Sequence, residues 1–206
     1  MVKPSKRRTD ANPLVYQLKV TLLDVKPPIW RTLKVQPGTD LEDLHEIIQV
    51  AFGWTNSHLH QFILGKTYYQ IPYPEADLEP PLGHKQVDER NYSIEDLLTR
   101  KGAALIYEYD FGDSWEHQVL LEEILAPEPA SALPHCLDGS RACPPEDVGS
   151  TSGYENFLEA IKDPKHEEHT EMLEWAGGSF DPEAFDLAQI NEDLAEWKKS
   201  GLPTFD

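Results

Sequence analysis

Apolar and polar residues alternate through the first part of the chain in a pattern that predicts two strands. The segment 14–23 alternates well, with apolar side chains on one face at Tyr16, Leu18, Val20 and Leu22. After an interruption at residues 24–28 the alternation resumes over residues 29–35, with Arg31 on the apolar face. We therefore expect a pair of half-buried strands, one of which directs an arginine inward.

A helix is predicted next, because apolar residues recur at intervals of three and four over residues 41–51. Thr39 and Glu42 have the spacing of a capping box, in which each side chain bonds to a free backbone N–H of the first turn. Gly53 follows as a candidate C-cap. The chain thus opens with a predicted β-β-α unit.

Strand-like patterns return in the middle of the chain. The predicted strands are 58–64, 66–71, 104–109 and 115–124. The first two turn at Gly65, and the last two are joined by the turn DFGDS at residues 110–114. Ser93 and Asp96 mark a short helix between the two pairs. Such neighbouring pairs predict a mostly antiparallel sheet.

The last third of the chain changes to a helical pattern. Residues 126–152 contain five prolines and no periodicity, so we expect a long Pro-rich loop there. Helices are then predicted to begin at Ser152, at Asp163 and at Asp181. A sheet followed by helices predicts an α+β fold, with a mostly antiparallel sheet covered by helices, in a single domain over residues 14–206.

Composition and charge narrow the function classes. The 206 residues carry a formal net charge of −19, and residues 116–206 hold 5 basic against 21 acidic residues. Such a field repels phosphate, so we expect no nucleic-acid partner. The basic residues of the segment 1–13 predict a disordered tail. Without a long apolar stretch or a signal-peptide pattern, we expect no membrane partner and a cytoplasmic location.

Six ordered motifs resemble the Ri-plasmid ORF-3-like family, also described as plasmid pRiA4b ORF-3-like proteins. These motifs are KPPIWR at 26–31, DLHEIIQVAFGW at 43–54, HLHQF at 58–62, YEYDFGDSWEH at 107–117, CPPED with GYENF at 143–157, and FDPEAFD at 180–186. The family usually reads CPPEDCGG, whereas this chain has Val148 and Ser150 in that segment. The resemblance implies an α+β domain and brings no established reaction.

Polar residues on the inward strand faces are the first candidates for a site. Arg31, His60 and His117 each share a face with apolar side chains. A buried arginine needs a carboxylate partner, and we expect Arg31 to pair with Asp110 or Asp113 in the neighbouring turn. These residues form either a structural network that fixes the turn or a cleft for a ligand or for catalysis.

Metal-ligand residue types occur in two places. The residues His58, His60, Asp110, Asp113 and His117 offer donors suited to a divalent ion, but their spacing does not place them together. His135, Cys136 and Cys143 lack the paired spacing of a structural zinc site, and we expect the thiols to be buried and unbonded. We therefore predict no metal site.

Two function classes remain. The first is a non-enzymatic binding or adaptor module that contacts a protein partner or a small ligand. The alternative is a metal-dependent or hydrolytic enzyme that uses the His and Asp cleft. A DNA recombinase is not expected, because the four arginines outside the tail are scattered in a negative field. The sequence specifies no cofactor. A binding module predicts filled surroundings for the buried polar residues, and an enzyme predicts their convergence around one open pocket.

Overall fold

The computed structural model describes residues 14–72, 80–127 and 133–200, and the predicted tail at 1–13 lies outside them. Within the described ranges, no helix has the length and apolar character needed to cross a membrane. These residues form an eight-stranded sheet with helices packed against it. The predicted α+β class is confirmed.

The β-β-α opening is also confirmed. Strands β1 (Val15–Leu22) and β2 (Trp30–Val35) pair antiparallel, and helix α1 covers Leu41–Phe52. Gly53 ends the helix in the left-handed region at φ 81°, where its N–H reaches two carbonyls of the last turn.

The capping box predicted at the start of α1 is wrong. Asp40 occupies the N-cap and makes no side-chain cap bond. The carbonyl of Tyr92 accepts from the Leu41 N–H instead, at 3.1 Å. A neighbouring segment thus supplies a backbone acceptor that sequence spacing does not reveal.

The sheet has the strand order β5-β4-β3-β6-β7-β1-β2-β8. Its remaining strands are β3 (His60–Leu64), β4 (Thr67–Gln70), β5 (Lys85–Asp88), β6 (Ala104–Tyr109), β7 (Trp115–Leu125) and β8 (His135–Ser140). All neighbours pair antiparallel except β4 and β5, which are parallel. The two predicted strand pairs of the middle region are therefore confirmed.

Two edge strands were not predicted. Strand β5 is a short polar segment at one edge, and β8 lies at the other edge, inside the predicted loop 126–152. The segment of β8, HCLDGS, has too few apolar residues to alternate, and it becomes a strand because β2 offers it backbone partners. The prediction of an unstructured loop is therefore wrong for residues 135–140.

Four further α-helices follow α1 among the described residues: α2 (Ile94–Leu97), α3 (Ser150–Lys162), α4 (His169–Trp175) and α5 (Leu187–Ser200). The short helix predicted from Ser93 and Asp96 is confirmed as α2, and the Asp96 carboxylate accepts from the Ser93 N–H at 2.8 Å. The helices expected to start at Asp163 and Asp181 begin six residues later. Each aspartate instead accepts a hydrogen bond from the backbone N–H two residues on, which forms a turn.

The core lies between one face of the sheet and α1. Along β7, Trp115 and Val119 are buried whereas Glu116 and Gln118 are exposed, as expected for a sheet with one buried face. Ile47 and Ile48 of α1 belong to the same core cluster. This buried face also carries the polar residues that the sequence placed inward.

Candidate functional site

Three segments meet at one end of the sheet. They are residues 54–59 after α1, the turn 110–114 between β6 and β7, and residues 143–149 before α3. The Asp110 N–H donates to the Leu59 carbonyl at 2.8 Å, which joins the first segment to the second. Motifs far apart in sequence thereby contribute to one small region.

His58, Asp110 and Asp147 form a group that we call the rim cluster. His58 Nε2 lies 3.1 Å from Asp147 Oδ1 and 3.7 Å from Asp110 Oδ2. One ligand atom from each residue lies within 4.8 Å of the other two, which is a spacing compatible with a metal ion. The structure therefore unites two predicted site residues, His58 and Asp110, with a third that the sequence analysis missed.

Glu146 anchors the loop that carries Asp147. Its carboxylate accepts from the Tyr109 hydroxyl at 2.8 Å and from the Thr55 N–H at 2.9 Å. The same Tyr109 hydroxyl accepts from the Ser57 N–H at 3.0 Å. Glu146 thus ties the loop to both segments that supply the other two cluster residues.

Two more hydrogen bonds hold the ends of this loop. The Trp54 indole N–H donates to the Pro144 carbonyl at 3.1 Å. Asp113 accepts from the Gly149 N–H at 3.0 Å. Asp113 is therefore a loop anchor, and it is neither in the rim cluster nor a partner of Arg31.

A pocket of about 480 Å³ adjoins the rim cluster, and we call it the histidine pocket. Its lining includes Glu42, His45 and Glu46 from α1 and the segment 56–60. His45 and His60 are both buried, and their rings stack in parallel with centroids 3.5 Å apart. His58 also lines the pocket, so the pocket and the rim cluster share one residue.

Hydrogen bonds fix the tautomer of His45. Its Nε2 lies 2.7 Å from Asn56 Oδ1, which can only accept, so Nε2 carries the proton. Its Nδ1 then accepts from the Tyr107 hydroxyl at 2.7 Å, and that hydroxyl accepts from Gln49. Burial, with a smaller effect from His60, holds the pKa of His45 well below its usual value. The ring is neutral at physiological pH.

His60 shares a proton with a buried glutamate. His60 Nε2 lies 2.9 Å from Glu89 Oε1, and Glu89 is fully buried. Burial lowers the pKa of His60 to about 3 and raises the pKa of Glu89 to about 8. At neutral pH the pair holds one proton and carries no net charge.

His117 lies away from the pocket, inside an aromatic cluster. Phe52 and Trp54 meet its ring edge to face, with centroid distances of 4.9 and 5.2 Å. Its Nδ1 donates to the Trp115 carbonyl at 3.0 Å, and its buried Nε2 has no hydrogen-bond partner among the described residues. Burial lowers the pKa of His117 to about 3. This candidate is a neutral core residue.

The expected pairing of Arg31 with Asp110 or Asp113 is wrong. Arg31 is buried, and its guanidinium donates to four backbone carbonyls at 2.8–3.0 Å: those of Trp30, Ala51, Ser140 and Arg141. No described carboxylate lies within 4.0 Å of it. Ala51 belongs to the last turn of α1, whose negative dipole end stabilises a cation.

Aromatic rings complete the surroundings of Arg31. Its guanidinium carbon lies 5.0 Å from the ring centroid of Phe52 and 4.9 Å from that of Phe185. A Cβ at Gly139 would lie 2.4 Å from a ring atom of Phe185, so only glycine leaves room for this packing. Burial lowers the pKa of Arg31, which nevertheless stays charged because its ordinary value is so high.

The second metal candidate of the sequence analysis does not assemble. Cys136 is buried in β8, while His135 is exposed and adjacent in the strand, so their side chains point to opposite faces. Cys143 is partly buried, and both cysteines are free thiols. Burial raises the pKa of Cys136 to about 11 and that of Cys143 well above its usual value.

Four residues of the site, His45, Glu89, Glu146 and Asp147, were not predicted from the sequence. His45 could have been found, because it follows Leu41 by four residues and precedes Ile48 by three, which places it on the apolar face of α1. Glu89 lies in a three-residue 3-10 helix, and Glu146 and Asp147 lie in an irregular segment, so none of them follows an apolar pattern. Only tertiary contacts bring them to the site.

Comparisons with known proteins agree with the resemblance seen in the sequence. An uncharacterized protein from Sinorhizobium fredii is 40% identical over 191 residues, covering 90% of this chain and 95% of its own. The crystal structure of a protein of unknown function from Methanosarcina mazei Go1 matches with a TM-score of 0.74 and 34% identity, over 88% of this chain and 97% of that one. The family model of the plasmid pRiA4b ORF-3-like protein matches residues 14–189. The chain therefore belongs to the plasmid pRiA4b ORF-3-like protein family.

Proposed function

We propose that the protein is a binding module that holds a small cationic ligand in the histidine pocket. The observation that carries this proposal is that uncharged histidines and acidic side chains line the same pocket. His45 and His60 are neutral at physiological pH because burial lowers their pKa values. Glu42 and Glu46 line the same pocket and attract positive charge. Amines and guanidines of a few carbon atoms have the charge and size for this space.

The distribution of the other polar residues supports binding over catalysis. An enzyme built on the predicted cleft requires His60, His117 and the aspartates of the 110–114 turn around one reacting atom. His117 packs among aromatic rings, and Asp113 is occupied by the Gly149 N–H. His60 adjoins the pocket with Glu89 as its partner. These residues have separate structural tasks.

The charge of the chain also supports a cationic ligand. A net charge of −19 raises the local concentration of cations and repels phosphate groups. Burial and neighbouring carboxyl groups raise the pKa of Glu42, and a bound cation would oppose this shift by stabilising the charged form. Nucleic acid is accordingly not part of the proposal.

Titration with small amines tests the proposal. We expect at least one of ethanolamine, putrescine, spermidine and arginine to raise the unfolding temperature in proportion to the logarithm of its concentration. Calorimetry should give one site per chain, and affinity should fall with added salt. Glu42→Gln should weaken binding by roughly two- to fivefold, because it removes one exposed charge of the pocket lining.

The matched control is Glu159→Gln, which removes an exposed charge from α3, outside the pocket. We expect this variant to bind as the unmodified chain does. Absence of any shift at millimolar concentrations of all four amines would contradict the proposal. Equal weakening by both variants would also contradict it, because net charge alone would then explain the binding.

A further inference from the structure

We propose that His58, Asp110 and Asp147 bind one divalent first-row transition-metal ion. The rim cluster offers one imidazole nitrogen and two carboxylate oxygens, all within 4.8 Å of one another. Imidazole and carboxylate together suit ions such as Mn²⁺ and Zn²⁺. This site is additional to amine binding in the histidine pocket, and it is testable with the metal alone.

The two distances from His58 to the carboxylates fit an ion with little rearrangement. Two ligand atoms that each lie about 2.1 Å from an ion in tetrahedral geometry are about 3.4 Å apart. His58 Nε2 is 3.1 Å from the Asp147 oxygen and 3.7 Å from the Asp110 oxygen. Small rotations of side chains bring both distances to the expected value.

The cluster has unmet electrostatic needs. His58 Nε2 is shielded from solvent and makes no hydrogen bond with acceptable geometry among the described residues, although two carboxylates lie beside it. No described Lys or Arg lies within 4.0 Å of Asp110 or Asp147. Neighbouring carboxylates repel one another unless a cation stabilises them. A metal ion between the three side chains supplies a partner to each.

The cluster is also held in place before any ion binds. Asp110 Oδ1 accepts from the Gly112 N–H at 2.9 Å, which leaves Oδ2 directed at His58. Asp147 follows Glu146, which is anchored to Tyr109 and Thr55. Pre-positioned ligands reduce the entropy lost on binding. The Asp147 side chain is 71% exposed, so an ion can enter from solvent.

Three protein ligands leave coordination positions for water or for a second ligand. The carboxylates of Asp110 and Asp147 neutralise the two positive charges of the ion. Its binding therefore does not involve Glu42 or Glu46. The nitrogen ligand favours transition ions over Mg²⁺, and we expect affinity to follow Zn²⁺, then Mn²⁺, then Mg²⁺. Replacing His58 by an amide should narrow the difference between Mn²⁺ and Mg²⁺.

The test is a titration of the chelator-treated, dialysed protein with Mn²⁺. Electron paramagnetic resonance counts the free ion, and calorimetry gives the stoichiometry and affinity. We expect one ion per chain, with affinity at least about tenfold lower in His58→Gln and in Asp147→Asn. Metal-free unfolding curves of both variants should match that of the unmodified protein, which separates loss of a ligand from loss of the fold.

Asp24→Asn is the matched control. Asp24 is exposed and has φ 59°, the same left-handed conformation as Asp147, and asparagine tolerates it. We expect Asp24→Asn to bind Mn²⁺ as the unmodified protein does. No binding at millimolar Mn²⁺, or equal weakening in Asp24→Asn and Asp147→Asn, would overturn the metal site. Neither result bears on amine binding, which is measured without metal.

Discussion

Arg31 and His60 occupy comparable places in the sequence pattern, and the fold treats them differently. Each is a polar residue on the apolar face of a strand, and each is buried. Around Arg31, backbone carbonyls bind the guanidinium and two aromatic rings pack against it, although the residue also borders a second pocket. Around His60, a neutral glutamate and a second histidine leave a pocket open beside the ring.

This difference separates residues that stabilise the fold from residues available to a ligand. Four of the five guanidinium N–H groups of Arg31 donate to backbone carbonyls, so Arg31 joins α1 to the edge of the sheet. A neutral His60 beside a pocket keeps Nδ1 without a hydrogen-bond partner among the described residues. We call the core around Arg31, Trp115 and His117 the filled region. We expect substitutions there to change stability, and substitutions at the histidine pocket to change binding.

The largest effect is expected at Trp115, in the filled region. Trp115 is 1% exposed and lies against Trp54, so Trp115→Ala should lower the free energy of unfolding by about 3–5 kcal/mol. Trp175 is 47% exposed, and Trp175→Ala should lower it by less. Urea denaturation measures both. A larger loss at Trp175 would show that the core is not where the structure places it.

Arg31→Met should lower the free energy of unfolding by about 3 kcal/mol. It leaves several buried carbonyls without donors, each at a cost of about 1–3 kcal/mol, and regains part of this by removing a buried charge. Arg31→Lys should lose less, since an ammonium keeps the charge but cannot reach all four acceptors. Glu42→Gln, at the pocket, should change it by less than about 0.5 kcal/mol. Equal losses of stability in Arg31→Met and Glu42→Gln would show that the filled region and the pocket do not differ in this respect.

His117 should make the filled region sensitive to acid. Its pKa is about 3 in the folded protein and about 6.5 in the unfolded chain, so only the unfolded chain takes up a proton between these values. The stabilising contribution of neutral His117 is fully present above pH 6.5 and is lost as the pH falls towards 3. His117→Phe should reduce this slope by about 1.4 kcal/mol per pH unit, read from urea midpoints at pH 5 and 6. An unchanged slope would mean that His117 is protonated in the native state.

Glu89 should give the pocket region the opposite dependence. Its pKa is about 8 in the folded protein and 4.5 in the unfolded chain, so its stabilising contribution is lost as the pH rises through this window. Between pH 4.5 and 6.5 the lowered pKa of His60 cancels the effect, because each state of the pair then holds one proton. The stabilising contribution of the Glu89 and His60 pair should therefore fall by about 1 kcal/mol between pH 6.5 and 8.

Glu89→Gln is the variant that checks this origin. It keeps a hydrogen-bond donor towards His60 and removes the titrating carboxyl group, so stability should no longer fall between pH 6.5 and 8. A decline as steep as that of the unmodified protein would assign the dependence to another group. Thermal and urea unfolding at three pH values within the window are sufficient.

Elements with a strong local pattern could be predicted from the sequence. Strands β1 and β7 alternate cleanly, α1 has a continuous apolar face, and Gly53 ends it as expected. Edge strand β8 could not be predicted, because its partner on β2 and not its own composition makes it a strand. The same applies to Asp163 and Asp181, which look like helix starts but form side-chain turns.

The candidate site was only partly accessible to sequence reasoning. His58, His60 and Asp110 were named, but their partners lie elsewhere: Asp147 is 89 residues after His58, and Glu89 is 29 residues after His60. A buried charge needs compensation, which led to the expectation of a carboxylate partner for Arg31. Backbone carbonyls compensate the charge instead. No sequence pattern marks them, because every residue carries one.

The sequence by itself determined the α+β class, the inward direction of Arg31, His60 and His117, and the family. These follow from period-two and helical patterns and from short motifs, which act over a few residues. The tertiary structure alone decided which inward residue is enclosed and which adjoins a pocket, and that Asp147 reaches His58. The physical reason is that hydrogen bonding and burial of a side chain depend on all segments that share its space, and these segments are distant along the chain.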